Sequence, residues 1–241
     1  MLTKIDLKLD WATFESAKYA CTNWHYSKCI PVGKLVKIGV WENNNFIGVV
    51  LFSRGANNKL ASPYGLDQTE CCELTRIALT NHKTSVSRIL SIAIKFLKKN
   101  SPGLKLIISF ADTEQNHHGG IYQASNWIYA GMTKAADEYL VHGKRMHGRS
   151  MRMKYTTHIG KEFIKIIKGS SKHRYLLALD KNILNQISIL KKPYPKRTTS
   201  KEIVASGFQS EEGSENLTVV LHKEEQSLWA KDNFKKGSKH Q

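Results

Sequence analysis

The chain has 241 residues and a mass of 27.3 kDa, which bounds it to one large domain or one domain with an appendage. Its hydrophobic fraction of 41% supports a core without disulfide or metal staples, and collagen-like, coiled-coil and disulfide-scaffold classes are excluded. A formal net charge of +17 favours a polyanionic partner.

In chain order, Asp10 is placed to cap a helix over 11–22 with Trp11, Phe14, Ala17 and Cys21 on one side. Asn23-Trp24-His25-Tyr26-Ser27 follows as a polar, aromatic loop. Two strands, 35–41 and 46–53, are joined by Asn43-Asn44-Asn45, since Asn tolerates positive φ. A third strand covers 72–79. Thr84 or Ser85 caps a helix to about Lys99, which Pro102-Gly103 ends. Residues 104–111 (LKLIISFA) read as a buried central strand. Gly119-Gly120 leads into a short helix over 121–128. Strands at 128–133, 137–142 and 150–155, a helix over 157–168, a strand at 173–179 and a helix over 181–190 complete the pattern. The strand–helix–strand crossover between 72 and 111 must be parallel and right-handed. The expected fold class is α/β, a mixed central sheet flanked by helices on both faces. Ligands bind such sheets beyond the carboxyl ends of the central strands, here at Leu79-Thr80-Asn81 and Ala111-Asp112-Thr113.

The charge is uneven. Residues 1–141 carry sixteen basic and eleven acidic side chains, residues 142–200 fifteen and two, and residues 201–241 six and seven. The middle segment holds Lys144, Arg145, Arg149, Arg152 and Lys154, then Lys161, Lys165 and Lys168 at helical spacing, then Lys191, Lys192, Lys196 and Arg197. Phosphate neutralisation needs many cations on one surface, so nucleic acid is the expected partner. A solvated lysine-rich face is the competing assignment. The expected organisation is a catalytic core over 1–156, a basic DNA-binding extension over 157–197 packed on that core, and a disordered polar tail over 198–241.

No run of about eighteen apolar residues occurs, and MLTKIDLKLD has no apolar stretch after its lysine, so neither a spanning helix nor a signal peptide is expected. Cys21, Cys29, Cys71 and Cys72 lack metal-finger spacing and are expected to be reduced thiols of a cytoplasmic protein.

Asp112 is the most informative acid, because it ends a buried strand and projects into the mouth of the sheet. Tyr122 opens the next helix, and Gln115, Asn116, His117, His118, Gly119 and Gly120 lie between. An Asp can accept a proton or orient a base, and a Tyr can donate one. An Asp that simply caps the following turn would look the same. His25-Tyr26-Ser27-Lys28 is a second cluster, suited to acid–base chemistry or metal ligation, or to plugging the first helix. Glu73 and Arg76, three apart on a strand, should face opposite sides, one toward the site and one toward a covering helix. Trp127 could stack on a base or lie in the core.

The segments HYSK (25–28), KIGVWENNNFIGVVLFSRGA (37–56), ELTRIAL (73–79) and SFADTEQNHHGGIYQASNWIYAG (109–131) resemble the Mom DNA-modification proteins of Mu-like phages. KHRYLLAL (172–179) and KKPYPKR (191–197) resemble that family's C-terminal end, so the likeness spans about residues 8–197. It implies a Gcn5-related N-acetyltransferase (GNAT)-like fold. It also implies a transferase that converts DNA adenine to an N6-carbamoylmethyl form, protecting phage DNA from host restriction in the bacterial cytoplasm. The family's acid falls on Asp112, its tyrosine on Tyr122, its histidine–tyrosine pair on His25 and Tyr26, and its strand arginine on Arg76. Lys28, with the basic residues above, would hold the double-stranded DNA.

A typical acetyltransferase cradles the coenzyme A pyrophosphate in a Gly-containing loop. The corresponding loop here, Thr80–Ser85, has no glycine, which leaves helix amides, Thr80, Lys83 and Ser85 to face a donor. That donor is acyl-CoA (acetyl-CoA) or another small metabolite. A non-haem iron held by His25, Tyr26 or Asp112 is a further option, because carboxylate and imidazole suit it. The alternative activity is N-acetylation of a protein or small amine with acetyl-CoA.

Overall fold

The computed structural model describes residues 5–135, 137–147, 151 and 164–196. The strands are β1 (Leu7–Trp11), β2 (Leu35–Glu42), β3 (Asn45–Ser53), β4 (Cys71–Leu79), β5 (Leu106–Asp112), β6 (Ile128–Met132), β7 (Asp137–Val141), β8 (Lys144–His147), β9 (Ile164–Lys168) and β10 (Lys172–Ala178). The helices are α1 (Phe14–Trp24), α2 (Val86–Asn100), α3 (Gly120–Gln123) and, last in the chain, α4 (Lys181–Ser188).

Seven strands form one mixed sheet in the order β1-β2-β3-β4-β5-β10-β6, and β8-β7-β9 form a small second sheet. The β4–α2–β5 crossover is parallel, as expected. Helices cover both faces. Under α2, the apolar stripe Ile89, Leu90, Ala93 and Leu97 meets Ile38, Val40, Val50, Phe52, Leu74 and Ile107. On the opposite face, Ala17, Ala20 and Cys21 of α1 pack on Val49, Leu51 and Ala78. Ile183 and Ile187 of α4 pack on Leu106, Ile108 and Leu176 of that same face. Ile89 and Leu90 are fully buried, and each such side chain contributes about 1.5–3 kcal/mol by leaving water.

Three local expectations change. Asp10 does not cap a helix: residues 7–11 alternate apolar and polar and pair antiparallel with β2. Thr13 caps α1 instead, accepting from Ser16 N at 3.1 Å. The hairpin turn needs only Asn43 and Asn44, at φ 49° and 64°, while Asn45 already belongs to β3. The helix expected over 157–168 is, in its described part, the strand β9, paired with β7 from Ile164 to Lys168. Three isoleucines in five residues favour a pleated surface, and lysines at 165 and 168 therefore share no helical face. The short helix after Gly119 spans one turn, Gly120–Gln123, rather than reaching 128.

The chain divides into a unit over 1–197 and a stretch over 198–241, which lies outside the described residues. Within the first unit, β10 sits between β5 and β6. Residues 172–178 are therefore built into the central sheet, not laid on it as an extension. Of the strand expected over 150–155 only Met151 is described, and Arg149, Arg152, Lys154, Lys161 and Arg197 lie outside the described residues. No helix among the described residues is long and apolar enough to cross a membrane.

Candidate active site

The site begins where two strands part. β4 and β5 pair only from Cys71–Leu74 against Leu106–Ser109, yet β4 runs on to Leu79 and β5 to Asp112. The carbonyl of Leu74 stands at the root of the resulting gap, and Ser109 Oγ lies 2.9 Å from it. Tyr122 Oη lies 2.8 Å from that same Ser109 Oγ. One serine proton cannot serve both neighbours. Either Ser109 donates to the phenol and frees the phenol's proton toward the gap, or it donates to Leu74 while the phenol donates to it. Burial pushes the Tyr122 hydroxyl up to about 12, against a smaller opposing effect of Ser109, so the phenol keeps its proton at neutral pH. Gly119 makes this geometry possible. Its φ is +79°, and a Cβ there would sit 2.3 Å from the Tyr175 ring that stacks on Tyr122.

The opposite wall is the loop after α1. Arg76 of β4 donates through Nη1 to Ser27 Oγ and to the Cys29 carbonyl. This clamp seats His25 and Tyr26 over the gap. His25 Nδ1 accepts from the Ser27 amide at 3.1 Å and lies 2.8 Å from Ser27 Oγ. Its ring packs on Tyr26, 4.3 Å between centroids, and Tyr26 packs edge-on against His117 at 5.5 Å. Burial first, then the charges of Arg76, His117 and Lys28, lower the His25 imidazole to about 4. Tyr26 shifts the other way, raised by burial and by the nearby Asp112 charge.

Asp112 is held more firmly than its sequence position suggests. It accepts from Glu114 N at 3.1 Å, capping the turn Thr113–Gln115, and from Ser170 Oγ at 3.4 Å. Lys172 Nζ lies 3.4 Å from its other oxygen. The capping assignment and the site assignment are thus both realised by one side chain.

His25, Tyr26, Arg76, Asp112 and Tyr122 therefore converge on one gap. The remaining expected residues do not. Thr80 N donates to the Ile47 carbonyl at 2.9 Å, and the Thr80 carbonyl lies 2.7 Å from His82 Nδ1. The amides of Lys83 and Thr84 donate to the buried carboxylate of Glu42, at 3.0 and 2.8 Å, and Thr84 Oγ1 adds a bond of 2.6 Å. Ser85 Oγ accepts from Ser87 Oγ at 3.4 Å. An internal carboxylate thus occupies the Lys83 and Thr84 amides, so these two are not open to a donor's phosphates. Among the described residues, no three His, Cys, Asp or Glu side chains come close enough to hold a metal ion.

Several cations also differ from expectation. Lys28 Nζ donates to the Asn23 carbonyl at 3.1 Å, closing the end of α1. Arg145 pairs with both Glu138 and Glu114, tying the β7–β8 hairpin to the turn after Asp112. Lys144, Lys192 and Lys196 are exposed. The Lys192 amide donates to the Tyr129 carbonyl at 2.9 Å and Tyr194 Oη to the Trp127 carbonyl at 2.7 Å, which straps this basic segment along β6. Trp127 is fully buried against Tyr122 and belongs to the core. A separate cavity of about 340 Å³, lined by Lys34, Phe52, Arg54, Cys72 and Leu97, contains none of the five converging residues.

A model of the Mom protein family matches residues 6–196. The chain belongs to the Mom protein family. Among the family's characterised members, methylcarbamoylase mom of Escherichia phage Mu is 29% identical over 111 residues. That match covers 44% of this chain and 46% of the relative, so it spans less than half the length of the phage Mu protein. Similar solved structures include a Bacillus subtilis acetyltransferase in complex with CoA, 15% identical with a TM-score of 0.44, covering 73% of this chain and all but 1% of that one. A GNAT family acetyltransferase from Elizabethkingia anophelis with acetyl-CoA bound is 13% identical with a TM-score of 0.37, covering 72% of this chain and 98% of that one.

Sequence reasoning missed Ser109, Lys172 and the clamp made by Ser27 and Cys29. A serine facing inward from an otherwise apolar strand was the available signal for Ser109. Lys172 had none, because its nearness to Asp112 depends on β10 entering the sheet.

The His25 shift carries a prediction. Its ring NMR resonances should stay constant from pH 9 down to about 5 and titrate near 4. Between the ordinary value of 6.5 and the folded value, the unfolded chain binds more protons, so His25 adds stability as pH rises through that window. A ring that titrates near 6.5 in the folded chain would contradict the geometry.

Proposed function

We propose that this member of the Mom family is a DNA-modifying transferase that places a carbamoylmethyl group on the N6 amine of adenine and so shields DNA from restriction. The observation that carries the reading is the family match over residues 6–196, which contains every residue that converges on the β4–β5 gap.

The chemistry supports it. An exocyclic adenine amine is a poor nucleophile, because its lone pair is delocalised into the ring. The base must also leave the stack, since N6 is paired in the duplex. A narrow gap with a protonated phenol at its root and neutral aromatic and imidazole rings on its wall suits a flipped purine. Tyr122 would give its proton to the departing group of the donor, backed by Ser109. His25 and Tyr26 would position the base, His25 as a neutral ring with Nε2 carrying its proton. Arg76 would hold that wall and supply positive charge. Asp112, fixed by three donors, would orient the reacting groups. Lys144, Lys192 and Lys196, with Arg149, Arg152 and Arg197, would engage phosphates without reading sequence. No step is assigned to coenzyme A or to iron.

The test is to express the chain in a bacterium, hydrolyse the plasmid DNA to nucleosides and weigh them. The expected result is a new adenine nucleoside heavier by one carbamoylmethyl group. Unmodified adenine from folded, DNA-bound protein would overturn the reading in favour of N-acetylation of another amine.

A further inference from the structure

Glu73, one residue before Leu74 at the root of the gap, is an acid that the reading above leaves without a task. β4 bulges at Thr75: Leu74 pairs with Phe52, but Arg76 already pairs with Leu51. The extra residue brings Glu73 onto the face of Arg76, because their partners Ser53 and Leu51 lie two apart on β3. Glu73 also pairs with Ile108, which shares its face of β5 with Asp112, and Asp112 in turn pairs with Lys172. The expectation of opposite faces therefore fails, and both side chains look toward the wall that carries His25 and Tyr26.

The two carboxylates of this face are treated differently. Asp112 is held by an amide, a hydroxyl and an ammonium. None of the ion pairs among the described residues involves Glu73. The Ala56 amide donates to it, and Gly55, at φ +79°, lets the backbone close over it. A Cβ at Gly55 would lie 3.0 Å from Glu73 Oε2. A carboxylate stripped of water is a stronger base than a solvated one.

We propose that Glu73 is the proton acceptor of the reaction and that Asp112 only orients. This rests on the adenine-modifying reading. The N6 lone pair forms a bond to the methylene carbon of an activated carbamoylmethyl donor. The bond from that carbon to its leaving group breaks, and its electron pair stays with the leaving group. One N6 proton passes to the Glu73 carboxylate, which later returns it to water.

The groups facing Glu73 are Lys172 across the sheet, Tyr122 at the gap root, Arg76 on its own face, and Cys71 and Cys72 on its own strand. Burial raises its carboxyl above the ordinary range, and Lys172 opposes this only in part. The acidic limb of the rate profile should therefore fall at a higher pH than a solvated carboxylate would give.

E73Q keeps an acceptor for the Ala56 amide but cannot take a proton. Purified proteins are assayed on plasmid DNA, with a low-molecular-weight bacterial extract as donor source, and the modified nucleoside is quantified by mass spectrometry. E73Q should lose about 10²–10⁴ of the rate, the usual share of a general base. Its DNA affinity and urea midpoint should match the wild type. E73D should recover part of the rate with a shifted acidic limb. If E73Q does not fold, that shift decides alone, and an unshifted limb in E73D overturns the assignment. An E73Q protein within threefold of wild type also overturns it and leaves the transferase reading standing. A wild-type protein that modifies no DNA in cells overturns both.

Discussion

Tyr122→Phe should fold, bind DNA and modify almost nothing. The phenol is a proton donor seated at the root of the β4–β5 gap, and burial keeps it protonated at neutral pH. Removing a general acid costs about 10²–10⁴ in rate. The structural cost is small. The ring stays packed between Trp127 and Tyr175, and Ser109 keeps the Leu74 carbonyl as its partner. One lost neutral hydrogen bond amounts to about 1 kcal/mol. The check pairs nucleoside analysis of DNA from expressing cells with a urea unfolding curve. Full modification by a folded Tyr122→Phe protein would take the phenol out of the chemistry. Loss of both folding and activity would mean that the hydroxyl holds the strands apart and does nothing else.

Glu42→Ala should have the opposite profile, a large loss of stability that begins far from the gap. The Glu42 side chain, at the end of β2, is buried and accepts from the amides of Lys83 and Thr84 and from the Thr84 hydroxyl. It fixes the Lys83-Thr84 turn that leads into α2, whose N-cap residue Ser85 makes no side-chain cap bond. Alanine leaves three donors without a partner at a buried position. At about 1–3 kcal/mol for each unsatisfied group, the loss reaches several kcal/mol, enough to move the urea midpoint clearly. The Thr84 hydroxyl bond and the two amides lower the Glu42 carboxyl below its ordinary value of 4.5. The sign follows directly. The stability Glu42 provides is fully present above 4.5 and is lost as pH falls through the lower folded value. Glu42→Gln should therefore weaken the fold at neutral pH and flatten the acid limb of its stability curve. A neutral-pH midpoint within error of wild type in both variants would show that the Glu42 network contributes nothing net.

The parts of this architecture legible in the sequence are those fixed by local pattern. The continuous apolar run before Asp112 makes a buried strand in any context, and Asn43-Asn44 turns a hairpin because both residues tolerate positive φ. Asp112 and Tyr122 are readable as site residues from the end of a buried strand and the turn after it, whereas His25, Tyr26 and Arg76 enter that site through the family resemblance. What local pattern could not supply was pairing at long range. The bulge at Thr75, which turns Glu73 toward the gap, exists only in the register between β3 and β4. The capture of the Lys83 and Thr84 amides by Glu42 joins residues about forty apart. The helix expected near 157–168 failed because lysine spacing of three and four also fits a strand when isoleucines fill the gaps.

The most direct test of the account is the nucleoside composition of plasmid DNA from cells expressing the wild-type chain and, side by side, Tyr122→Phe at equal soluble yield. The account predicts an N6-carbamoylmethyl adenine nucleoside in the first and its near absence in the second. Ordinary adenine alone from the wild type, or equal modification from both, would contradict it.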